Sequence, residues 1–121
     1  MPKFDHIGIY VIDLEESVQF YQELFGFQAV KKMKDGDIDM VFLDMNGAML
    51  QLKQRPNPPT PGGEKYTHFA IYHEDYQSVL KKLEERRISY WEINLGEGKH
   101  SANFQDPSGH DVEVMEVPFN R

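Results

Sequence analysis

The chain has 121 residues, of which 20 are acidic and 13 are basic, so its formal net charge is −7 with histidine neutral. This length suits one globular domain with one core, and the acidic balance argues against nucleic acid or an anionic membrane as the main partner. The absence of cysteine excludes disulfides, thiolate metal ligands and a cysteine nucleophile. Because no apolar leader or run of ~20 apolar residues is present, we predict a cytoplasmic protein.

The first half of the chain predicts a strand, a helix and three further strands. An alternating pattern at about 4–11 indicates the first strand, and Asp13 then begins a helix, with Glu16 completing a capping box. Gly26 is placed to end this helix in a left-handed conformation. The three strands that follow are predicted at about 27–33, 38–43 and 48–54.

The second half repeats the same order after a connector rich in proline and glycine. A strand at about 66–73 precedes a helix that begins at Asp75, and His110 is expected near a strand end, facing solvent. The remaining strands are predicted near 89–95, 100–105 and 111–117. The order βαβββ therefore occurs twice, which predicts an α+β protein.

A constant offset of 62 residues relates the two halves. Identical residues at this offset include His6 with His68 and Asp13 with Asp75, and no gap is needed to keep the register. We interpret this as an internal duplication whose halves share a core, in one chain or across a dimer, because each half is short for a free domain. The predicted organisation is a single domain over 1–121, composed of module one at about 1–54, a linker at about 55–63 and module two at about 64–121.

Four polar residues are predicted to point away from the helices, because their strand neighbours are apolar residues that would pack under the helices. They are His6, Gln51, His68 and Glu113. His6 precedes His68 by 62 residues, and Gln51 precedes Glu113 by the same number, so one twofold axis would relate both pairs. Taken singly, each is more often an ordinary surface residue. If the first and last strands of each half are neighbours at the sheet centre, the four converge as ligands for one divalent metal ion.

Two segments of the chain resemble one known superfamily. The segments are 4–11, FDHIGIYV, and 106–114, DPSGHDVEV. They are similar to the opening and closing segments of the vicinal oxygen chelate superfamily, the group of glyoxalases, bleomycin-resistance proteins and extradiol dioxygenases. The resemblance covers essentially the whole chain. It implies paired βαβββ modules that form a half-open barrel around a metal, often in a homodimer, with the ligands at the four positions named above.

The resemblance also implies a reaction. Metal enzymes of this superfamily chelate two substrate oxygens, which suits proton abstraction next to a carbonyl through a metal-stabilised enediolate. We therefore expect a glyoxalase-like lyase or isomerase that acts on a small α-oxo or thiol-adduct substrate, with Glu113 as both ligand and base. Neutral Gln51 leaves the site one net positive charge. Zn, Ni, Co, Mn and Fe(II) all suit this mixed set of donors.

Several alternatives remain open at this stage. Methylmalonyl-CoA epimerase resembles the chain in its opening and ligands, and its second base would fall near Asp39, which we predict as a second catalytic residue. Glutathione use is in doubt because Tyr10 and Arg55 replace residues that touch glutathione in classical glyoxalase. Fosfomycin-modifying relatives fit less well, since no basic cluster is evident. A non-catalytic bleomycin-resistance-type protein would bind a small molecule in a cleft lined by Tyr10, Met40, Phe42, Met49, Tyr66, Tyr72 and Trp91.

Overall fold

The computed structural model describes residues 5–57 and 69–118. In module one these residues form β1 (His6–Tyr10), α1 (Leu14–Phe25), β2 (Gln28–Asp35), β3 (Ile38–Asp44) and β4 (Met49–Gln54). In module two they form β5 (Phe69–Tyr72), α2 (Tyr76–Glu85), β6 (Trp91–Gly96), β7 (Lys99–Gln105) and β8 (Asp111–Met115). The predicted βαβββ order is therefore confirmed in both halves. Most of the predicted linker, together with Tyr66 and His68, lies outside the described residues.

The two helices begin at the aspartates that the sequence predicts. Asp13 Oδ1 accepts a hydrogen bond from the backbone nitrogen of Glu16 at 3.0 Å, and Asp75 Oδ1 accepts one from that of Ser78 at 3.1 Å. Each bond satisfies a backbone donor that the first turn of a helix leaves without a partner. Gly26 ends α1 at a φ of 73°, as predicted. Neither helix in the described part of the chain is long and apolar enough to cross a membrane.

Each module forms its own four-stranded mixed sheet. The strand order is β1-β4-β3-β2 in the first sheet and β5-β8-β7-β6 in the second. The first and last strands of each module are parallel neighbours, with Gly8 aligned to Gln51 and Ala70 aligned to Glu113. These two aligned pairs differ by the predicted offset, so the duplication extends to the strand register. The fold is α+β as predicted, but β1 and β5 lie at sheet edges and the sheets do not join into a barrel within the described chain.

One hydrophobic core lies between the two sheets, and both modules contribute to it. The rings of Phe20 and Tyr21 on α1 pack against Phe104 and Phe69 of module two, and the Tyr21 hydroxyl donates to Asp106 Oδ2 at 2.8 Å. The strand residues buried in this core include Val41, Leu43, Leu50, Leu52, Ala102, Val112 and Val114. Because α1 packs between the sheets, the opposite face of each sheet points away from the core. We call these the open faces.

His110 is buried, so the prediction that it faces solvent is wrong. Its Nε2 lies 2.5 Å from the backbone oxygen of Tyr10 at the end of β1, and only 2% of the residue is exposed. In the same turn, Ser108 Oγ accepts a hydrogen bond from the backbone nitrogen of Ile12 at 2.8 Å. The turn 106–110 thus fastens module two to module one. A strand-end position in the sequence gives no sign of this long-range contact.

The buried Asp106 makes stability depend on pH. Burial raises the pKa of this carboxyl, while hydrogen bonds from Tyr21 and from the backbones of Ser108 and His110 oppose the rise. The folded state holds this proton more tightly than the unfolded state does. The stabilising contribution of the protonated Asp106 carboxyl is therefore complete below the unfolded pKa near 3.8. That contribution is lost as the pH rises through the folded pKa.

Replacing Asp106 with Asn should therefore remove the part of the pH dependence of the free energy of unfolding that this carboxyl causes. We expect the free energy of unfolding of the wild type, relative to Asp106→Asn, to fall as the pH rises from about 4 towards neutrality. Urea unfolding at a series of pH values measures this difference. The control is Asp37→Asn, which removes an exposed carboxylate from the β2–β3 turn. A difference between the wild type and Asp106→Asn that does not vary with pH would contradict the interpretation.

Candidate metal site

The open faces of the two sheets carry most of the residues predicted from the sequence. Strand register and alternation place on the first open face His6, Gly8 and Tyr10 of β1, Met40 and Phe42 of β3, and Met49, Gln51 and Lys53 of β4. The second open face carries Ala70 and Tyr72 of β5, Trp91 and Ile93 of β6, Ser101 and Asn103 of β7, and Glu113 and Met115 of β8. The apolar residues predicted to line a cleft thus lie on these faces, except Tyr66, which lies outside the described residues.

Gln51 lies on the first open face with its amide oxygen over Gly8. A Cβ atom at position 8 would come within 2.5 Å of Gln51 Oε1, so a larger residue there would require the amide to shift from this position. The amide nitrogen of Gln51 donates to Met40 Sδ at 3.1 Å. The structure therefore provides a cradle for the side chain and directs its nitrogen towards β3. This leaves the amide oxygen as the atom available to a metal.

His6 lies on the same face, with a carboxylate beside its ring. The distance from His6 Nδ1 to Asp5 Oδ2 is 2.7 Å, and the ring packs edge-on against Phe42 with 5.6 Å between centroids. A carboxylate acceptor keeps the proton on Nδ1 and leaves the Nε2 lone pair for a metal, as is typical of histidine ligands. We did not predict Asp5 from the sequence, because alternation places neighbouring strand residues on opposite faces. Asp5 precedes β1 and is free of that constraint.

Replacing Asp5 with Asn should weaken metal binding by about 10- to 100-fold, because His6 would lose the carboxylate that orients it. Competition of the full-length protein with a chelator measures the affinity. The matched control is Asp44→Asn, which removes one carboxylate from the same sheet, where Asp44 Oδ1 accepts from the backbone of Asn46. Equal loss of affinity in the two variants would indicate a general effect of charge and would contradict the role of Asp5.

Glu113 occupies the equivalent register position on the second open face. Its Oε2 accepts a hydrogen bond of 2.7 Å from Ser101 Oγ on the neighbouring strand β7. Ser101 is fully buried, so this bond holds the carboxylate in one orientation. We did not identify Ser101 from the sequence, because the register between β7 and β8 that brings the two residues together is not readable from either strand alone.

The structure brings His6 and Gln51 together but places Glu113 on the other sheet, across the shared core. His68, the fourth predicted ligand, lies outside the described residues. Within 5–57 and 69–118, no group of three His, Cys, Asp or Glu side chains is close enough to hold a metal ion. We call His6 with Gln51 the first half-site, and Glu113 the second half-site.

Asp39 belongs to neither half-site. It is aligned with Gln54, whose Oε1 accepts a hydrogen bond of 2.6 Å from the backbone nitrogen of Leu14 at the start of α1. Its carboxylate pairs with Lys34 Nζ at 3.4 Å. Asp39 therefore lies on the helix side of the first sheet, opposite to Gln51, and this position gives no support to its predicted role as a second base.

Two basic side chains meet at Tyr10, beyond the first half-site. Lys53 Nζ and Arg55 Cζ each lie 4.4 Å from the centroid of the Tyr10 ring. No basic cluster is evident in the sequence, because other residue types separate the two cations along the chain. The pairing of β1 with β4 brings Tyr10 beside Lys53 and so creates the cluster.

Comparison with known proteins identifies the family. The sequence model of the Glyoxalase/Bleomycin resistance protein/Dioxygenase superfamily matches residues 3–114. The chain therefore belongs to this superfamily, the vicinal oxygen chelate group, as the resemblance of its opening and closing segments predicts.

Individual known proteins are similar over most of the chain. Glutathione transferase FosA of Serratia marcescens is 29% identical over 116 residues, covering 94% of this chain and 80% of FosA. Glyoxylase I 4 of Arabidopsis thaliana is 26% identical over 122 residues, covering 94% of this chain and 70% of that protein. A mutant of FosX from Listeria monocytogenes, solved with Mn(II) and 1S,2S-dihydroxypropylphosphonic acid, shares the fold with a TM-score of 0.79 at 18% identity, over 98% and 93% of the two chains.

Proposed function

We propose that this protein is a metal-dependent lyase or isomerase of the glyoxalase type. Its reaction is the abstraction of a proton next to a carbonyl of a small α-oxo or thiol-adduct substrate. The observation that carries the proposal is the equivalence of the half-sites, in which Gln51 and Glu113 occupy matching register positions on the two open faces. The similarity to proteins named as a glyoxylase and as a glutathione transferase supports an enzyme.

The residues present fit a single divalent metal ion. His6, Gln51, His68 and Glu113 would hold it, and the cradle over Gly8 and the carboxylate of Asp5 prepare two of these ligands. Two imidazole nitrogens, an amide oxygen and a carboxylate suit Zn, Ni, Co, Mn or Fe(II). When bound, the ion would polarise the substrate carbonyl.

Glu113 is the base in this proposal. It is the carboxylate of the second half-site, and the hydrogen bond from Ser101 restricts it to one orientation, which favours proton transfer. The exposed apolar side chains on the same face would exclude water from the reacting carbon. They are Tyr72, Trp91 and Ile93, which are 47%, 58% and 44% exposed in the single chain.

The complete site is proposed to form between two copies of the chain. In one chain the half-sites point away from the shared core, so the first half-site of one copy would face the second half-site of its partner. A twofold homodimer built in this way has two identical sites. It would also cover the apolar side chains that surround Glu113, since exposed patches of this kind mark interfaces or ligand sites.

Metal content and deuterium exchange test the proposal. We expect one metal ion per chain in the purified protein and its loss in His6→Ala. We also expect exchange of solvent deuterium into hemithioacetals, whereas exchange only into 2-methylmalonyl thioesters would favour an epimerase. A metal-free protein that binds aromatic ligands would instead favour a binding protein of the bleomycin-resistance type.

The similarity to FosA favours a second candidate, the metal-dependent addition of a thiol to an electrophile. In that reaction the thiol loses its proton and forms a carbon–sulfur bond at the electrophile, whose carbon–oxygen or carbon–carbon π bond breaks, and the resulting anion takes up a proton. Consumption of glutathione with an electrophilic substrate, without deuterium exchange into hemithioacetals, would select this candidate. The two assays therefore separate the reactions on one preparation of protein.

A further inference from the structure

The Lys53 side chain extends over Gly8 towards Gln51. The position that a Cβ of residue 8 would occupy lies 3.4 Å from Lys53 Nζ, 3.4 Å from Lys53 Cε and 2.5 Å from Gln51 Oε1. The ammonium and the amide oxygen are therefore near neighbours in the space that the absent side chain of Gly8 leaves. Lys53 thus borders the first half-site directly, although it is not one of the predicted ligands.

The charge of Lys53 has no acidic partner among the residues that the structure describes. Across residues 5–57 and 69–118, no carboxylate pairs with its ammonium, which contacts the face of the Tyr10 ring instead. The Arg55 guanidinium lies equally close to that ring. A cation–π contact with a tyrosine ring leaves the positive charge of the ammonium in place. The Lys53 ammonium therefore lies at this end of the first open face beside a second basic side chain and an aromatic ring.

A metal ion at Gln51 would add to this positive charge. With Gln51 neutral and Glu113 as the one carboxylate, the ion and its ligands keep a net positive charge, and the Lys53 ammonium would lie close to it. The bound metal ion and the Lys53 ammonium would repel each other unless an anion lay between them. The positive charge at this site would therefore favour a negatively charged ligand.

We propose that Lys53 forms an oxyanion subsite, and that the substrate carries a carboxylate or phosphate-type group beside the oxygens that reach the metal. The placement beside metal-bound oxygens rests on the proposed function, whereas the subsite itself rests on Lys53, Gly8 and Tyr10. Residues two apart on one strand have Cα atoms about 7 Å apart. A small α-oxo compound with an acidic group near its carbonyl can therefore reach Gln51 and Lys53 at once.

Titration with two simple anions tests this subsite. The full-length protein, with its metal content measured, is titrated at low ionic strength with inorganic phosphate and separately with acetate. The titrations are repeated after metal removal, which separates binding to the protein from binding to the metal. We expect Lys53→Met to weaken binding of the preferred anion by about 10-fold or more, since hydrogen bonds to charged groups are worth about 1.5–3 kcal/mol.

The matched control is Lys31→Met. Lys31 is aligned with Phe42 on the outer strand β2, two strands away from Lys53 on β4, so its removal changes the net charge equally without touching the subsite. We expect this variant to change anion affinity by less than about twofold, because screened charges at that distance contribute little. If Lys53→Met does not fold, Lys53→Arg should keep the anion binding and Gly8→Ala should weaken it.

Each outcome decides between the alternatives. Preference for phosphate or for acetate supports the subsite and identifies the acidic group. Equal weakening in Lys53→Met and Lys31→Met, or the absence of saturable binding by the wild type, overturns it. If the wild type binds no metal but binds the anion through Lys53, the result supports the subsite and contradicts the proposed metal-dependent enzyme. If the metal-loaded wild type binds neither anion, the result contradicts the subsite and leaves the metal centre supported.

Discussion

Replacing Glu113 with Gln is expected to slow deuterium exchange into the substrate by about 10²- to 10⁴-fold, the usual contribution of a positioned general base. The amide has almost the same shape and can still bond to the Ser101 hydroxyl, but it cannot take a proton at neutral pH. The measurement is the initial rate of exchange into a hemithioacetal at saturating substrate, with the metal content of each sample determined alongside.

The control for this prediction is Glu116→Gln. Glu116 follows β8 directly, and its Oε1 accepts a hydrogen bond of 3.0 Å from the backbone nitrogen of His100. The variant therefore removes one carboxylate with a comparable hydrogen bond from the same segment of the chain, and we expect its exchange rate to match that of the wild type. A Glu113→Gln protein that keeps its metal and most of the wild-type rate would remove Glu113 from the role of base.

Mixing two inactive variants should restore metal binding. We expect His6→Ala and Glu113→Ala each to lose the metal, because each destroys a different half-site. In a mixed dimer, both changes fall in one of the two sites and the other site is intact. Random exchange of subunits makes half of the dimers mixed, so about a quarter of the wild-type metal sites should return.

A second mixture distinguishes shared sites from any general effect of mixing. His6→Ala combined with Gln51→Ala places both changes in the first half-site, so every site in a mixed dimer keeps one defect. We expect no recovery of metal from this pair. Recovery from neither mixture, under conditions where subunits exchange, would place the complete site within one chain and would contradict the proposed dimer arrangement.

The sequence predicts the local structure and the strand faces because these depend on short-range rules. Asp13 and Gly26 mark the two ends of α1 by their capping chemistry, and the alternation of side chains gives the face of Gln51 and of Glu113. The offset between the halves also anticipates the equal register of their parallel strand pairs. The assignment of these residues as metal ligands stays a prediction that the variants above test.

The parts that the sequence does not predict all depend on contacts between distant segments. The packing of α1 between the two sheets separates Glu113 from the first half-site, and no periodicity within a strand reports it. The burial of His110 and the bond from Ser101 arise in the same way. Asp39 is a different case, since the alternation along β3 already places it on the face opposite to Phe42, whereas its predicted role as a second base comes from the family resemblance alone.

Gly8 of β1 leaves open the space that the ends of the Gln51 and Lys53 side chains share. A single methyl group at position 8 would displace the amide oxygen of Gln51 and come within 3.4 Å of the ammonium of Lys53. If the proposed metal site and oxyanion subsite exist, one substitution at position 8 would alter both without changing any proposed ligand residue. Relatives that keep all four donor types but carry a larger side chain at this place should therefore have diverged in the compounds they accept.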